Sequence, residues 1–183
     1  MRRAGNVCDR GVTGWRAMSP ELDDDHVEAI CKVLLEHGVE FVIIGGIAAR
    51  LHETGHSTVD IDICPSTVEE NLANLAEALR SLGARLRIEG DPAGVPFDPH
   101  PDLLRQATTM TLITDHGPLD LCFAPAGFPG GYKTLEDRAL RIVVGALDLP
   151  VAALADVVAS KRAAGRPKDI VALPALEAHL RRS

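Results

Sequence analysis

The chain has 183 residues, of which 46% are hydrophobic and 25% charged, a mixture that excludes wholesale disorder and suits one well-packed core with a small appendage. A formal net charge of -7 excludes a surface that is basic throughout, so any polyanion has to be met at a local patch. Four cysteines (Cys8, Cys31, Cys64, Cys122) without C-x-x-C spacing, and the lack of a signal-like segment or a long apolar run, point to a reduced, cytoplasmic setting with no membrane partner.

Residues 1–19 have no sustained period and read as a flexible extension, with Met18 a second possible start. Ser19 as N-cap, Pro20 at the first helical position and apolar residues at Val27, Ile30, Val33 and Leu34 predict a helix that Gly38 stops. "VEFVIIGG" (39–46) is a short apolar run, as expected of a strand covered on both faces, and "IAARLHETG" after it reads as a short helix. "TVDIDICP" (58–65) is the second strand, closed by Pro65. The helix that follows opens on a capping box of Ser66 and Glu69.

"EGDPAGVPFDPHPD" (89–102) concentrates Pro, Gly and Asp and reads as a loop. "TTMTLITDHGPLDLCFAP" (108–125) reads as a hairpin turning at "DHG". A glycine-rich stretch that turns helical (126–140), a strand or two (141–154) and two closing helices complete the chain. The expected class is α/β with a mixed central sheet of about four to six strands, flanked by helices. The core is expected over 20–150, with a small helical part over 151–183.

Asp60 and Asp62 stand out inside the second strand. Side chains alternate along a strand, so the two carboxylates share one face while Val59, Ile61 and Ile63 are expected to point into the core. Two ionised carboxylates held together repel, and no adjacent Lys or Arg relieves them. A divalent cation would do so, and Mg²⁺ favours a few carboxylates together with substrate phosphate oxygens. Asp120, alone in the apolar run "GPLDLCF", is the expected third ligand on a neighbouring strand. Asp62-Ile63-Cys64 parallels Asp120-Leu121-Cys122, which places both cysteines on the carboxylate face. The competing reading is a solvent-facing edge strand with Asp120 at a turn.

Gly45 and Gly46 lie between the first strand and a helical stretch, where backbone N–H groups can approach a phosphate. G-x-G-x-x-G is absent, and the acid downstream is doubled, against a dinucleotide fold. His52 and His56 are four apart, but no third zinc ligand is spaced with them.

Gly-Gly, a helix, Asp-x-Asp on a strand and a lone Asp on a later strand resemble the nucleotidyltransferase fold shared with DNA polymerase beta. The closing "LADVVASKRAAGRPKDIVALPAL" looks like the end of AbiEii-type and MenT-type toxins of bacterial toxin–antitoxin pairs. The resemblance covers roughly residues 25–180; Gly46 stands where the common signature has Ser, and the chain is shorter than many AbiEii-type members.

This resemblance implies transfer of a nucleoside monophosphate from an NTP, with Asp60, Asp62 and Asp120 holding two Mg²⁺ ions and Lys161 and Asp169 as further catalytic residues. It also implies a nucleotide cradle of Gly45, Gly46, Lys161, Arg162 and Arg166, which Lys168 extends. From residue 161 onward there are six Lys or Arg against two acids, opposite to the global charge. The acceptor it favours is the tRNA 3′ end, with a cognate antitoxin as partner. The alternatives are a protein or small-molecule acceptor, or a non-catalytic binding module. Thr58, or its neighbour Ser57, is a candidate regulatory phosphorylation site, since a phosphate there would compete with the incoming triphosphate.

Overall fold

The computed structural model describes residues 23–182, so the expected cap at Ser19 and Pro20 lies outside the described residues. Helix α1 (Asp24–Glu36) is capped by Asp23, whose carboxylate accepts from the His26 N–H at 3.0 Å. Its buried stripe of Val27, Ile30, Cys31 and Leu34 sits at helical spacing and joins the main core.

Strand β1 (Phe41–Ile44), buried at all four positions, runs directly into α2 (Gly45–Leu51). Next come β2 (Ile61–Pro65), α3 (Glu69–Ser81), β3 (Arg85–Ile88), β4 (Asp91–Pro96), α4 (Pro101–Gln106), β5 (Thr109–Thr114) and β6 (Gly117–Cys122). The chain ends with α5 (Tyr132–Leu135) and a 3-10 turn, β7 (Leu140–Val144), β8 (Leu147–Val151), α6 (Leu154–Ala164) and α7 (Pro167–Leu180). The strands form one mixed sheet ordered β4-β3-β5-β6-β2-β1-β8-β7. The pairs β2/β6 and β1/β8 are parallel, and all others are antiparallel.

The sheet therefore has eight strands among the described residues, more than the four to six expected. Much of the excess lies at the sheet edges. The Pro- and Gly-rich stretch read as a loop holds β4, an edge strand, where prolines cost no ladder bond. Its other half holds α4, opened by Pro101 at the first helical position. The strand expected from Thr58 starts at Ile61, so Asp60 lies just before it. No capping box forms at α3: the cap position is Val68, without a side-chain cap bond, and Glu69 instead pairs with Arg105 of α4.

Buried Asn71 of α3 ties the central strands together. Its Oδ1 accepts from the Glu40 N–H at 2.7 Å, and its Nδ2 donates to the carbonyls of Glu40 at 3.1 Å and Ser66 at 2.8 Å. These contacts clamp the start of β1 beside the end of β2, with Phe41 opposite Pro65. Replacing Asn71 with alanine strands these backbone groups, and urea denaturation is expected to show a loss of about 2–3 kcal/mol.

Candidate active site

Strand β2 lies inside the sheet between β6 and β1, which removes the edge-strand reading of its acids. The parallel register of β2 and β6 sets Asp62 beside Asp120, with Ile61 beside Leu119 and Ile63 beside Leu121 in the core, whereas Val59, expected in the core as well, precedes β2 and is 53% exposed. Asp60, one residue before β2, lines the same cavity of about 380 Å³ as Asp62 and Asp120. The next residues along both strands are Cys64 and Cys122. Burial raises both thiols; the Cys64 thiol also feels Cys122, and the Cys122 thiol feels Asp62 and Asp120, which sets Cys64 near Cys122 and Cys122 near the carboxylates.

Burial pushes the Asp62 carboxyl up to about 7, and the charges of Asp60 and Asp120 add to the rise. Burial likewise lifts Asp120 to about 6, against the pull of the Arg87 guanidinium. The Gly46 N–H donates to Asp62 Oδ2 at 3.3 Å.

The glycine pair is shaped by these acids. Gly45 has φ +65°, and a Cβ there would lie 2.1 Å from Asp62 Oδ2. A Cβ on Gly46 would lie 2.7 Å from Thr58 Oγ1. Thr58 donates its hydroxyl to Asp60 Oδ1 at 3.1 Å and lines the cavity together with Ser57. His56 lines it as well, whereas His52 turns away to the Ala152 carbonyl, with its Nε2 at 2.8 Å.

The opposite wall comes from α6 and α7. Lys161, Arg166, Lys168 and Asp169 all line the cavity. Asp169 is fully buried; its Oδ1 lies 3.2 Å from Lys161 Nζ, and its Oδ2 accepts from Arg166 Nε at 2.6 Å. Burial works to raise the Asp169 carboxyl, but the hydrogen bonds from Arg166 and Lys161 outweigh it and hold the group below the usual range. Arg162 does not line the cavity. Its guanidinium meets Glu177 of α7 at 2.6 Å because, beside Lys161 on a helix, it faces a different direction, which removes it from the expected nucleotide cradle. Lys168 is exposed and makes no ion pair among the described residues.

Two participants escaped the sequence reading. Arg87 of β3 places Nη2 3.1 Å and 3.3 Å from the two Asp120 oxygens and 3.7 Å from Asp60 Oδ2. The alternation in "RLRI" carries the signal, with Arg85 and Arg87 on one face, but a run of only two apolar residues among arginines does not announce a strand. Asp156 of α6 is 2% exposed, lines the cavity and pairs with Arg138.

Among the described residues, no group of three or more His, Cys, Asp or Glu side chains stands ready to hold a metal ion. The donors nevertheless suit a hard divalent cation. They are carboxylate oxygens, with Asp62 raised by burial and then by the charges of its two neighbours, and a guanidinium already rests against two of the three acids.

No family model matches the chain, and no curated protein does. Solved structures do share its fold. LnuA, described as a lincosamide antibiotic adenylyltransferase and solved with lincomycin bound, aligns with TM-score 0.57 at 14% identity over 86% of this chain and 98% of its own. The antibiotic-resistance factor ANT(2'')-Ia aligns with TM-score 0.55 at 14% identity over 86% of this chain and 83% of its own. The chain has the mixed α/β nucleotidyltransferase fold. No helix among the described residues is long and apolar enough to cross a membrane.

Gly45→Ala and Gly55→Ala both force a side chain into the left-handed region, but only the first meets Asp62, since nothing lies within 4 Å of the second. Urea denaturation is expected to show the larger loss for Gly45→Ala, by about 2 kcal/mol or more over the strain of about 1 kcal/mol common to both. The depressed Asp169 carboxyl contributes stability that is present above its unfolded value of 3.8 and is lost as pH falls through its lower folded value. Thermal melts from pH 6 down to pH 2 are expected to fall less steeply for Asp169→Asn than for the parent chain.

Proposed function

We propose that the chain is a Mg²⁺-dependent nucleotidyltransferase that moves a nucleoside monophosphate from an NTP to an acceptor hydroxyl and releases pyrophosphate. The observation that carries this reading is Asp62 and Asp120 in register on paired central strands, with Asp60 beside them and the glycine pair packed on Asp62. The shared fold supports it. Asp60 and Asp62, with Asp120 beside them, would hold the metal, which would supply charge neutralisation on the triphosphate.

The chain's own groups supply the rest. Lys168, the uncommitted cation of the far wall, meets the triphosphate, while Asp169 orients Lys161 and Arg166 towards the same cavity. The acceptor oxygen attacks the α-phosphorus, and the bond to the bridging oxygen breaks, so that pyrophosphate leaves with the bonding pair. The hydroxyl proton passes to Asp120, a half-buried carboxylate that lines the cavity beside Asp60 and Asp62.

A small hydroxyl compound is the acceptor we favour. The cavity is the size of a small-molecule site, and apolar residues such as Ile44, Phe128 and Val157 share its lining. LnuA, which shares the fold, binds lincomycin. Pairing of Arg162 with Glu177 and of Arg166 with Asp169 also leaves less free positive charge for a nucleic-acid backbone than the residue count suggests. The second reading is a toxin of the AbiEii or MenT type acting on the tRNA 3′ end and restrained by an antitoxin. Exposed Lys168 and Arg166 at the cavity favour it. Under either reading a phosphate on Thr58 would lie against Asp60 and oppose the triphosphate, and one on Ser57 would act from the same rim.

The test is incubation with Mg²⁺ and each labelled NTP, offering either a panel of hydroxylated antibiotics that includes lincomycin or total bacterial tRNA. Label is expected on a small acceptor, with at least about a 100-fold loss in Asp62→Asn and a comparable loss in Thr58→Glu. Label on tRNA instead moves the acceptor to the second reading. An unchanged rate in Asp62→Asn overturns the assigned site.

A further inference from the structure

The two cationic neighbourhoods of the cavity differ in kind. On the helical wall, Lys161 and Arg166 are held by Asp169, and Lys168 projects without an ion pair among the described residues. On the sheet, one cation makes direct contact with the acids. Arg87 places a single guanidinium nitrogen against both oxygens of Asp120 and 3.7 Å from Asp60 Oδ2.

The sheet builds this contact. Arg85 and Leu86 of β3 pair with Ile113 and Leu112 of β5, and Arg87 follows at an irregularity of β3. Thr111 is opposite Asp120, and Asp120 is opposite Asp62. Thr111, Asp120 and Asp62 therefore form one row across three neighbouring strands, and the Arg87 side chain reaches Asp120 from the strand beyond.

We infer that the Arg87 guanidinium takes the place of one of the two metal ions expected at this site, so that the chain binds a single divalent cation, on Asp60 and Asp62. The inference rests on the reading of these acids as a metal site. Three carboxylates carry three negative charges, which one guanidinium and one divalent cation balance. A guanidinium stays protonated across the physiological range and, unlike a second metal ion, cannot be diluted or chelated away. With both of its oxygens against Arg87, Asp120 is left as an oriented carboxylate beside the metal-binding pair.

The test counts metal ions directly. Mn²⁺ is titrated into the full chain and followed by electron paramagnetic resonance, alone and with an NTP analogue carrying a non-hydrolysable α,β-methylene bridge. One Mn²⁺ per chain is expected in both conditions, and two in Arg87→Met with the analogue. Two ions in the parent chain, none at all, or one in both parent and variant overturns the inference. If the variant does not fold, the count in the parent chain decides alone. Transfer activity is read separately: one Mn²⁺ without transfer to any acceptor sinks the transferase reading but not this one, and transfer with two Mn²⁺ does the reverse.

Discussion

The structure is organised around one electrostatic constraint, the convergence of Asp60, Asp62 and Asp120 where paired central strands meet a cavity. Carboxylates this close, and partly buried, resist ionisation, as the raised Asp62 and Asp120 show. The fold answers the repulsion from several directions. The Gly46 N–H donates to Asp62, Arg87 reaches Asp120 and Asp60 from two strands away, and Lys168 adds positive field from the helical wall. The absence of a side chain on Gly45 follows from the same constraint, since Asp62 fills the space a Cβ would need.

The helical wall is tied down by a second charged arrangement with a different purpose. Asp169 is inaccessible to solvent and gives one oxygen to Lys161 and the other to Arg166, which joins α6 to α7 across the turn at Gly165. A buried ion pair adds little net stability over an apolar contact of the same shape, but loss of one partner leaves a stranded charge. Such a junction suits a wall that must present cations in fixed directions. It also changes the meaning of the basic C-terminal stretch, because part of its positive charge is spent within the helices rather than offered to a ligand.

Much of this was legible in the chain itself, and for identifiable reasons. The apolar runs 39–44 and 61–64 announce buried central strands, and period-2 alternation puts Asp60 and Asp62 on one face whatever the partner strand. Asp120 could be recognised as the third acid because a lone charge in an apolar strand needs a reason. The edges were harder to read. β4 carries the prolines that mark loops elsewhere, and only its place at the rim of the sheet makes them tolerable. Arg87 was invisible as a partner because its distance to Asp120 depends on the lateral order of strands 33 residues apart in the chain.

By itself, then, the sequence determined the alternation that aligns the carboxylates, the glycines that must adjoin them and the helical, basic character of the closing segment, since each depends on local geometry and residue type. The tertiary structure decided which cations remain free, which are consumed by Asp169 and Glu177, and which reaches the acids from β3. Those outcomes rest on pairings between distant segments, whose energies depend on separation and burial in space rather than on spacing along the chain.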